Sequence, residues 1–416
     1  MQPEIAVSAR PRRGAAVFGL GTAFFFYAFL LRVAPSVMVA ELMRDFAVGG
    51  AIVGHLSAVY FYAYAGMQIP VGVLFDRFGP RLLLGGAALL AALGSLLFAL
   101  SHGIVGASLG RLFIGLGSAF SWIGALVLAA RFFPARRFPF LTGIAQLVGV
   151  AGGVFGQAPL GAAVTALGWR RASMLIGLLG ILLAGALWRA TPARPSAAAA
   201  PGGALHRLRA VAANGQSWLY GFIGMVLTAP ILAFAGLWAV PFFETRYGLG
   251  RAEAAGMASL FSVGWCAGAP TIGWYATRLR SRRALLALAC GALALELTAT
   301  IYVATLPLAA MSVLALGIGF AGSAMTVTFA GARECNEAGR SGAALGFVNT
   351  FVMAGGALFQ PLIGLLLDWR WDGAVAAGAR IYSAGAYEFA LAALPLGAAL
   401  GALAALRLRD GVQPAR

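Results

Sequence analysis

Two long stretches of this chain repeat each other, and both lie inside apolar runs. The stretch from Asp45, DFAVGGAIVGHLSAVYFYAYAGMQIPVGVLFDRFGPR, aligns at an offset of 201 positions with RYGLGRAEAAGMASLFSVGWCAGAPTIGWYATRLRSR, from Arg246. A second pair, TGIAQLVGVAGGVFGQAPLG from Thr142 and LGFVNTFVMAGGALFQPLIG from Leu345, aligns at an offset of 203 positions. A membrane chain that repeats in this way is expected to fold as two parallel halves with its site between them.

The composition places most of the chain in lipid. Hydrophobic residues make up 61% and charged residues 10% of the 416 positions. A soluble fold of this length could not bury so much apolar surface. The three cysteines are widely spaced and form no CxxC pair, so we predict no disulfide framework and no metal site.

Twelve apolar runs are long enough to cross a membrane, since a spanning helix needs roughly 20 apolar residues. They cover residues 15–39, 51–75, 82–101, 105–130, 141–165, 173–190, 217–242, 252–276, 284–306, 308–331, 341–367 and 385–406. The predicted fold class is an all-α membrane protein with twelve transmembrane helices in two parallel six-helix halves. A Pro-, Ala- and Gly-rich stretch divides them into an N-terminal half (1–190), a cytoplasmic linker (191–215) and a C-terminal half (216–416). The first run is too long for a cleavable signal peptide, and we expect it to remain as a span.

The basic residues set the predicted topology. The net charge is +17, and all 30 basic residues are arginines. They are scattered between apolar runs, which argues against a nucleic-acid partner and for the charge bias of membrane loops. If the N-terminus is cytoplasmic, 21 arginines fall in cytoplasmic segments, seven in outer segments and two inside helices. We therefore predict a multi-pass protein of the bacterial inner membrane with both termini in the cytoplasm.

The segment GVLFDRFGPR, residues 72–81, joins the second and third runs. It resembles the loop signature of the major facilitator superfamily, Gly-x-Leu-x-Asp-Arg-x-Gly-Arg-Arg, with Pro80 in place of a basic residue. In this short turn a glycine permits close helix contact and an Asp-Arg pair supplies opposite charges. The gating residues predicted from it are Gly72, Asp76, Arg77, Gly79 and Arg81.

The resemblance implies six plus six helices, alternating access and one central site. It further implies that Asp76 meets the start of the eleventh helix near Ser341, where the helix dipole favours a carboxylate, and so closes the cytoplasmic side. The second-half copy has Thr277 in place of this acid. We expect the corresponding contact near Leu141 to be weaker.

Two arginines fall inside predicted helices. RLFIGLG, from Arg111, resembles the family's helix-four signature, which implies a role in coupling or in anchoring polar groups; an arginine that reaches outward from a helix end is the alternative. Arg32 is predicted at a similar depth on helix one. Two guanidiniums at one depth could clamp an anion. Alternatively, Arg32 pairs with Glu41 or Asp45.

Polar and aromatic residues occupy the helices that the resemblance directs toward the cavity. An amide in lipid must find a partner, either a substrate or another helix. The repeat aligns Gln146 with Asn349 and Gln157 with Gln360. Besides the two arginines, the candidate substrate-binding residues are Tyr60, Tyr64, Ser118, Trp122, Gln146, Gln157, Trp238, Asn349 and Gln360.

Titratable groups inside the membrane are few. Glu296, in the ninth run, and His55, near the outer end of the second, are the candidates for proton coupling. Helix nine is peripheral in the family, so a structural contact of Glu296 is an equal alternative. With so few fixed acids, the substrate or a co-transported anion is another source of charge balance for the arginines.

The chain shows no Walker loop, nucleotide fold or hydrolase triad, so we predict no enzyme activity and no cofactor. The resemblance implies a secondary active transporter, and we predict uptake of a small organic anion, a carboxylate or amino acid, with proton coupling or by exchange. Export of drugs or metabolites is disfavoured because Gly156 is followed by Gln157 rather than by the exporter's proline. A non-transporting membrane sensor on the same fold is the third alternative function. The expected partners are the small molecule and the lipid bilayer, and we expect a monomer.

Overall fold

The computed structural model describes residues 11–193, 204–278, 281–303, 306–337 and 340–409. In this part of the chain, twelve helical spans, continuous or broken, follow one another. Numbered 1 to 12, they are Pro11–Val33; Gly50–Phe78; Pro80–Leu100; Ile104–Phe132; Phe138–Phe155 with Ala158–Leu167; Trp169–Ala190; Gly215–Ala229 with Pro230–Trp238 and Ala239–Tyr247; Arg251–Arg278; Arg282–Tyr302; Leu308–Gly322 with Met325–Glu334; Ser341–Trp369; and Ala384–Leu391 with Ala393–Ala405.

Ten helices in the described residues are long and apolar enough to cross a membrane, and an eleventh qualifies if a bent pair counts as one span. That pair is the short helix Val39–Phe46 and Gly50–Gln68 of span 2, which meet at 112°. Span 8 is 28 residues long but is not among these helices. The predicted class, an all-α membrane protein, is confirmed.

Several spans are broken where the sequence disfavours a regular helix. Span 1 passes into a 3₁₀ turn, Ala34–Val37, which contains Pro35. Span 5 breaks at Gly156 and Gln157 before Pro159, and span 7 widens into a π-helical segment, Pro230–Trp238. Breaks of this kind free backbone carbonyls, which side chains from other spans then satisfy.

Two short elements lie outside the spans. A hairpin, Val375–Ala376 paired with Ala379–Arg380, connects spans 11 and 12. Its turn residues, Ala377 and Gly378, have φ of 49° and 80°, the left-handed values that a two-residue hairpin turn requires. The predicted linker also contains a helix, Ala204–Ala212, that packs on span 11.

Spans 1–6 pack mainly on one another, and so do spans 7–12. The two groups meet along two seams, span 2 with span 11 and span 5 with span 8. We call the side on which span 1 begins the near side and the opposite side the far side. The topology prediction makes the near side cytoplasmic, and the division into domains stays a prediction.

Candidate substrate site

The two seams are closed at the far side. A Cβ at Gly54 of span 2 would collide with the carbonyl of Gln360 on span 11, so the two backbones touch there. Where spans 5 and 8 meet, Arg251 forms an ion pair at 2.5 Å with Glu41 of the first half. A Cβ built at Gly161 of span 5 would lie 3.6 Å from the Cβ of Ala255 on span 8.

Toward the near side, a Cβ built at Gly143 of span 5, Gly273 of span 8 or Gly346 of span 11 would meet no neighbouring atom within 4 Å. The side-chain amides of Gln68 and Asn349 link spans 2 and 11 at 2.7 Å, part of the way along the seam. The close backbone contacts described between the two halves thus lie toward the far side.

Arg32 lies at the end of span 1, with only 6% of its surface exposed. Its Nε donates a hydrogen bond to the hydroxyl of Tyr60 at 3.2 Å. Three aromatic rings surround its guanidinium carbon, with centroids at 4.2 Å for Phe29, 5.3 Å for Tyr64 and 5.6 Å for Tyr60. Among the described residues no carboxylate forms an ion pair with it.

The alternative partners of Arg32 are engaged elsewhere. Glu41 pairs with Arg251, and Asp45 pairs with Arg44 at 2.9 Å and with Arg170 at 3.7 Å. Among the residues that the structure describes, the charge of Arg32 thus faces aromatic rings and a phenol oxygen.

Arg111 on span 4 approaches the same Tyr60 ring, at 5.1 Å, but has different partners. Its Nη1 donates to the carbonyl of Leu31 at 2.8 Å and its Nη2 to the carbonyl of Ser57 at 3.1 Å. The side chain is 1% exposed, and its Nε has no hydrogen-bond partner. Both ends of the predicted clamp therefore reach one ring, but Arg111 joins the backbones of spans 1 and 2, whereas Arg32 has no acidic partner among the described residues.

A polar row continues from Arg32 toward the second half. Tyr60 and Tyr64 stack with their centroids 5.8 Å apart, and Gln68 donates to the carbonyl of Tyr64 at 3.5 Å. Oε1 of Gln68 accepts a hydrogen bond from Asn349 of span 11. This row brings together four of the predicted candidates, Arg32, Tyr60, Tyr64 and Asn349. Phe29 and Gln68 are additions; their helical spacing from Arg32 and Tyr64 was the available signal.

The two repeat-related glutamines do not face an open cavity but hold the π-helical segment of span 7. Gln157 donates to the carbonyl of Ala235 at 2.8 Å, and Gln360 donates to the carbonyl of Leu232 at 2.8 Å. Trp238 closes the arrangement by donating to the carbonyl of Gln360 at 3.0 Å. All three candidates are at most 1% exposed, so they form the floor at the closed end of the site.

The remaining candidates on spans 4 and 5 have simpler surroundings. Ser118 is fully buried, and its hydroxyl has no hydrogen-bond partner. Trp122 is half-buried and packs on Phe25 with a centroid distance of 5.0 Å. Gln146 is half-buried on span 5.

The predicted gating loop is only partly described. Gly79 turns the chain between spans 2 and 3 with φ of 74°, a left-handed value that suits glycine. Arg81 donates to the carbonyl of Thr191 at 2.7 Å, and Arg77 is exposed near the ring of Phe78. Gly72, Asp76 and Thr277 lie on described helices, but the surroundings of these three residues are outside the described part of the structure.

The two proton-coupling candidates lie away from Arg32. Glu296 on span 9 rests against Gly317 of span 10, and its Oε2 is buried without a hydrogen-bond partner. His55 is exposed, with its ring 5.8 Å from that of Tyr62. Neither residue contacts the row from Arg32 to Asn349.

Comparisons with known proteins agree with this architecture. An uncharacterized transporter, YybO, of Bacillus subtilis is 28% identical over 38% of this chain and 36% of its own length. A probable sulfoacetate transporter, SauU, of Cupriavidus necator is 25% identical over 40% of this chain and 38% of its own length. A probable L-galactonate transporter of Escherichia coli is 31% identical over 38% of this chain and 34% of its own length. The chain thus aligns with a little over a third of the length of each.

A crystal structure of a bacterial homologue of the human lysosomal transporter Spinster, inward-facing and unoccupied, superposes with a TM-score of 0.78 at 18% identity. The match covers 98% of this chain and all of that one, which shows the same fold. The sequence model of the Major Facilitator Superfamily matches residues 20–360. This chain belongs to the major facilitator superfamily.

Proposed function

We propose that this protein is a secondary active transporter that takes up a small organic anion by alternating access, with Arg32 as the group that binds the carboxylate or sulfonate. One observation carries the proposal. Arg32 is a nearly buried guanidinium without an acidic partner among the described residues, and it lies in the first half at one end of a row of side chains that reaches Asn349 of the second half. A buried charge needs a counter-charge, and an anionic substrate would supply it.

The surroundings of Arg32 favour a particular kind of anion. Three aromatic rings form the walls, and the amides of Gln68 and Asn349 offer hydrogen bonds farther along the row. A short molecule with one anionic end and a hydroxylated or polar body would use both features. The names of two relatives, for sulfoacetate and L-galactonate, match this description and supply probes.

The direct test is a thermal-shift and calorimetry screen of the purified protein with L-galactonate, sulfoacetate and the neutral analogue galactitol. We expect at least one of the two anions to bind and galactitol not to bind. Because charge-assisted hydrogen bonds contribute about 1.5–3 kcal/mol, Arg32→Gln should weaken binding about 10- to 100-fold. Arg32→Lys keeps the charge but loses the planar fork, so its affinity should also fall markedly. Unchanged anion affinity in Arg32→Gln would refute the proposal.

The orientation of the carrier in the membrane follows from the distribution of its arginines. We infer that both termini and the 191–215 linker are cytoplasmic, because the near-side segments hold 21 of the 30 arginines. Reporter fusions at Arg416 and near Gly202 should give cytoplasmic signals. An external signal at either position would overturn the assignment.

A further inference from the structure

We infer that the carrier works by obligatory anion exchange, because nothing on the protein replaces the anion at Arg32 when the site is empty. The inference rests on the proposed function and adds its mode of coupling. It follows from the positions of the two buried arginines and of the acids on the seven spans around them.

Two positively charged side chains at this site contact the same aromatic ring. Arg32 and Arg111 both lie over Tyr60, at 5.6 Å and 5.1 Å, and they are 6% and 1% exposed. The other titratable groups that contact Arg32 are the phenols of Tyr60 and Tyr64. Carbonyls satisfy Arg111 as a hydrogen-bond donor, but a carbonyl is a dipole and does not cancel a charge.

No acid lies in the middle of any helix around this site. Spans 1, 4 and 5 contain no acidic residue between positions 11–33, 104–132 and 138–167. The acids of spans 2, 7, 8 and 11 lie at helix ends; they are Asp76, Glu244, Glu253 and Asp368. The only histidine on these seven spans is His55, which is exposed near the far end of span 2.

None of these four acids forms an ion pair with Arg32 among the described residues. Asp76 is 16 residues beyond Tyr60, which is roughly 24 Å along a helix at 1.5 Å per residue. Glu253 caps the N–H of Gly250, and Asp368 binds span 2 at the far side. Glu244 lines a small far-side cavity of about 160 Å³ together with Glu41 and Arg251.

These unbalanced charges affect how fast the empty carrier reorients from one side of the membrane to the other. Alternating access passes through a state in which both sides are closed and the site is cut off from water. Two unbalanced guanidiniums are costly in such a state, whereas a bound anion removes part of that cost. A proton-coupled carrier could balance the charge with a deprotonated acid beside the arginine, and the helices around Arg32 hold none. The loaded carrier should therefore reorient quickly and the empty carrier slowly.

The first test measures opening of the far side without any substrate. In a chain with Cys266, Cys290 and Cys335 changed to Ala, the fully buried Ala255 of the span 5–8 seam is changed to Cys. An impermeant maleimide added from the far side then reports outward opening. Arg32→Gln removes the unbalanced charge and should speed labelling tenfold or more. Arg32→Lys loses the same contacts but keeps the charge, and should label within about twofold of the parent.

The second test compares vesicles. Proteoliposomes loaded with unlabelled L-galactonate or sulfoacetate should take up the same labelled anion at least tenfold faster than empty vesicles, and a protonophore should not change that ratio. Equal uptake into empty vesicles, or labelling of Arg32→Gln at the parent rate, would overturn exchange. If neither vesicle type takes up either anion, the choice of substrate fails, and the labelling comparison still decides how the empty carrier behaves.

Discussion

Asp368, one residue before the end of span 11, caps the first turn of span 2 at Gly50. Its carboxylate accepts hydrogen bonds from the backbone N–H groups of Gly50 and Ala51, both at 2.9 Å. Tyr382 and Arg380 donate to the same carboxylate, at 2.5 Å and 3.1 Å. An acid at a helix N-terminus is stabilised by the free N–H groups and the helix dipole. This contact therefore joins the two halves and helps to close the far side.

Asp368→Asn should favour opening of the far side. A charge at a helix N-terminus contributes about 0.5–2 kcal/mol, so the equilibrium should shift about 2- to 30-fold toward the far-side-open state. Maleimide labelling of Ala255→Cys would measure the shift. Asp372→Asn is the matched control, because Asp372 caps only the N–H of Ala374 in its own loop. Equal labelling of both variants would contradict the role of Asp368.

Gln157 and Gln360 make similar bonds to span 7 but should have different effects when changed. The bond of Gln157 to Ala235 crosses between the halves, whereas that of Gln360 to Leu232 stays within the second half. One hydrogen bond contributes about 0.5–1.5 kcal/mol. Gln157→Leu should therefore shift the far-side equilibrium about two- to tenfold, as read by labelling. Gln360→Leu should instead lower the melting temperature with little change in labelling; the reverse pattern would refute this division.

Arg111 should matter for stability in a way that Arg32 does not. Arg111→Gln removes two hydrogen bonds and leaves the carbonyls of Leu31 and Ser57 without donors, at about 1–3 kcal/mol for each buried group. Its melting temperature should fall clearly. Arg32→Gln, at the same ring, should express and melt like the parent while losing anion affinity. Similar melting of the two variants would show that Arg111 does not hold spans 1 and 2 together.

The predicted gating loop, residues 72–81, gives a prediction from the sequence alone. Asp76 has Thr277 as its counterpart in the second half. Asp76→Asn should impair transport and bias the carrier toward the near-side-open state, while Thr277→Ala should have a much smaller effect. Uptake and cysteine accessibility of the two variants would test the asymmetry, and equal losses would refute it.

Asp45, in the short helix Val39–Phe46 before span 2, gives a dependence on pH. Burial raises its pKa, but hydrogen bonds from Trp169 and Arg44 and the charges of Arg44 and Arg170 outweigh this effect and lower the pKa overall. A carboxyl group with a lowered pKa stabilises the fold above its unfolded pKa of about 3.9, and the contribution disappears as pH falls through the folded value. Asp45→Asn should therefore melt below the parent at pH 7, and the difference should shrink toward pH 3. A constant difference would contradict the assignment.

Local composition made the membrane fold predictable. Every predicted run corresponds to a helical span, and most of the boundaries agree within a few residues. The starts of spans 1 and 6 differ most, by four residues each. Span 6 begins at Trp169 rather than 173 because Gly168 turns the chain there with φ of 81°. Trp169 then donates to Asp45 at 2.9 Å, a contact between residues 124 positions apart that composition does not reveal.

The sequence by itself determined the number and order of the spans, the two-half repeat and the residues that are costly in lipid, because these depend on hydrophobicity and on local turn chemistry. Only the tertiary structure decided which way those residues point. A helix that is apolar all round has no polar face to give its rotation. Arg32 and Arg111 look alike in the sequence, yet Arg32 donates to the hydroxyl of Tyr60 and lies among aromatic rings, while Arg111 donates to the carbonyls of Leu31 and Ser57. That difference depends on backbone carbonyls 80 and 54 positions away, which only packing brings within hydrogen-bond distance.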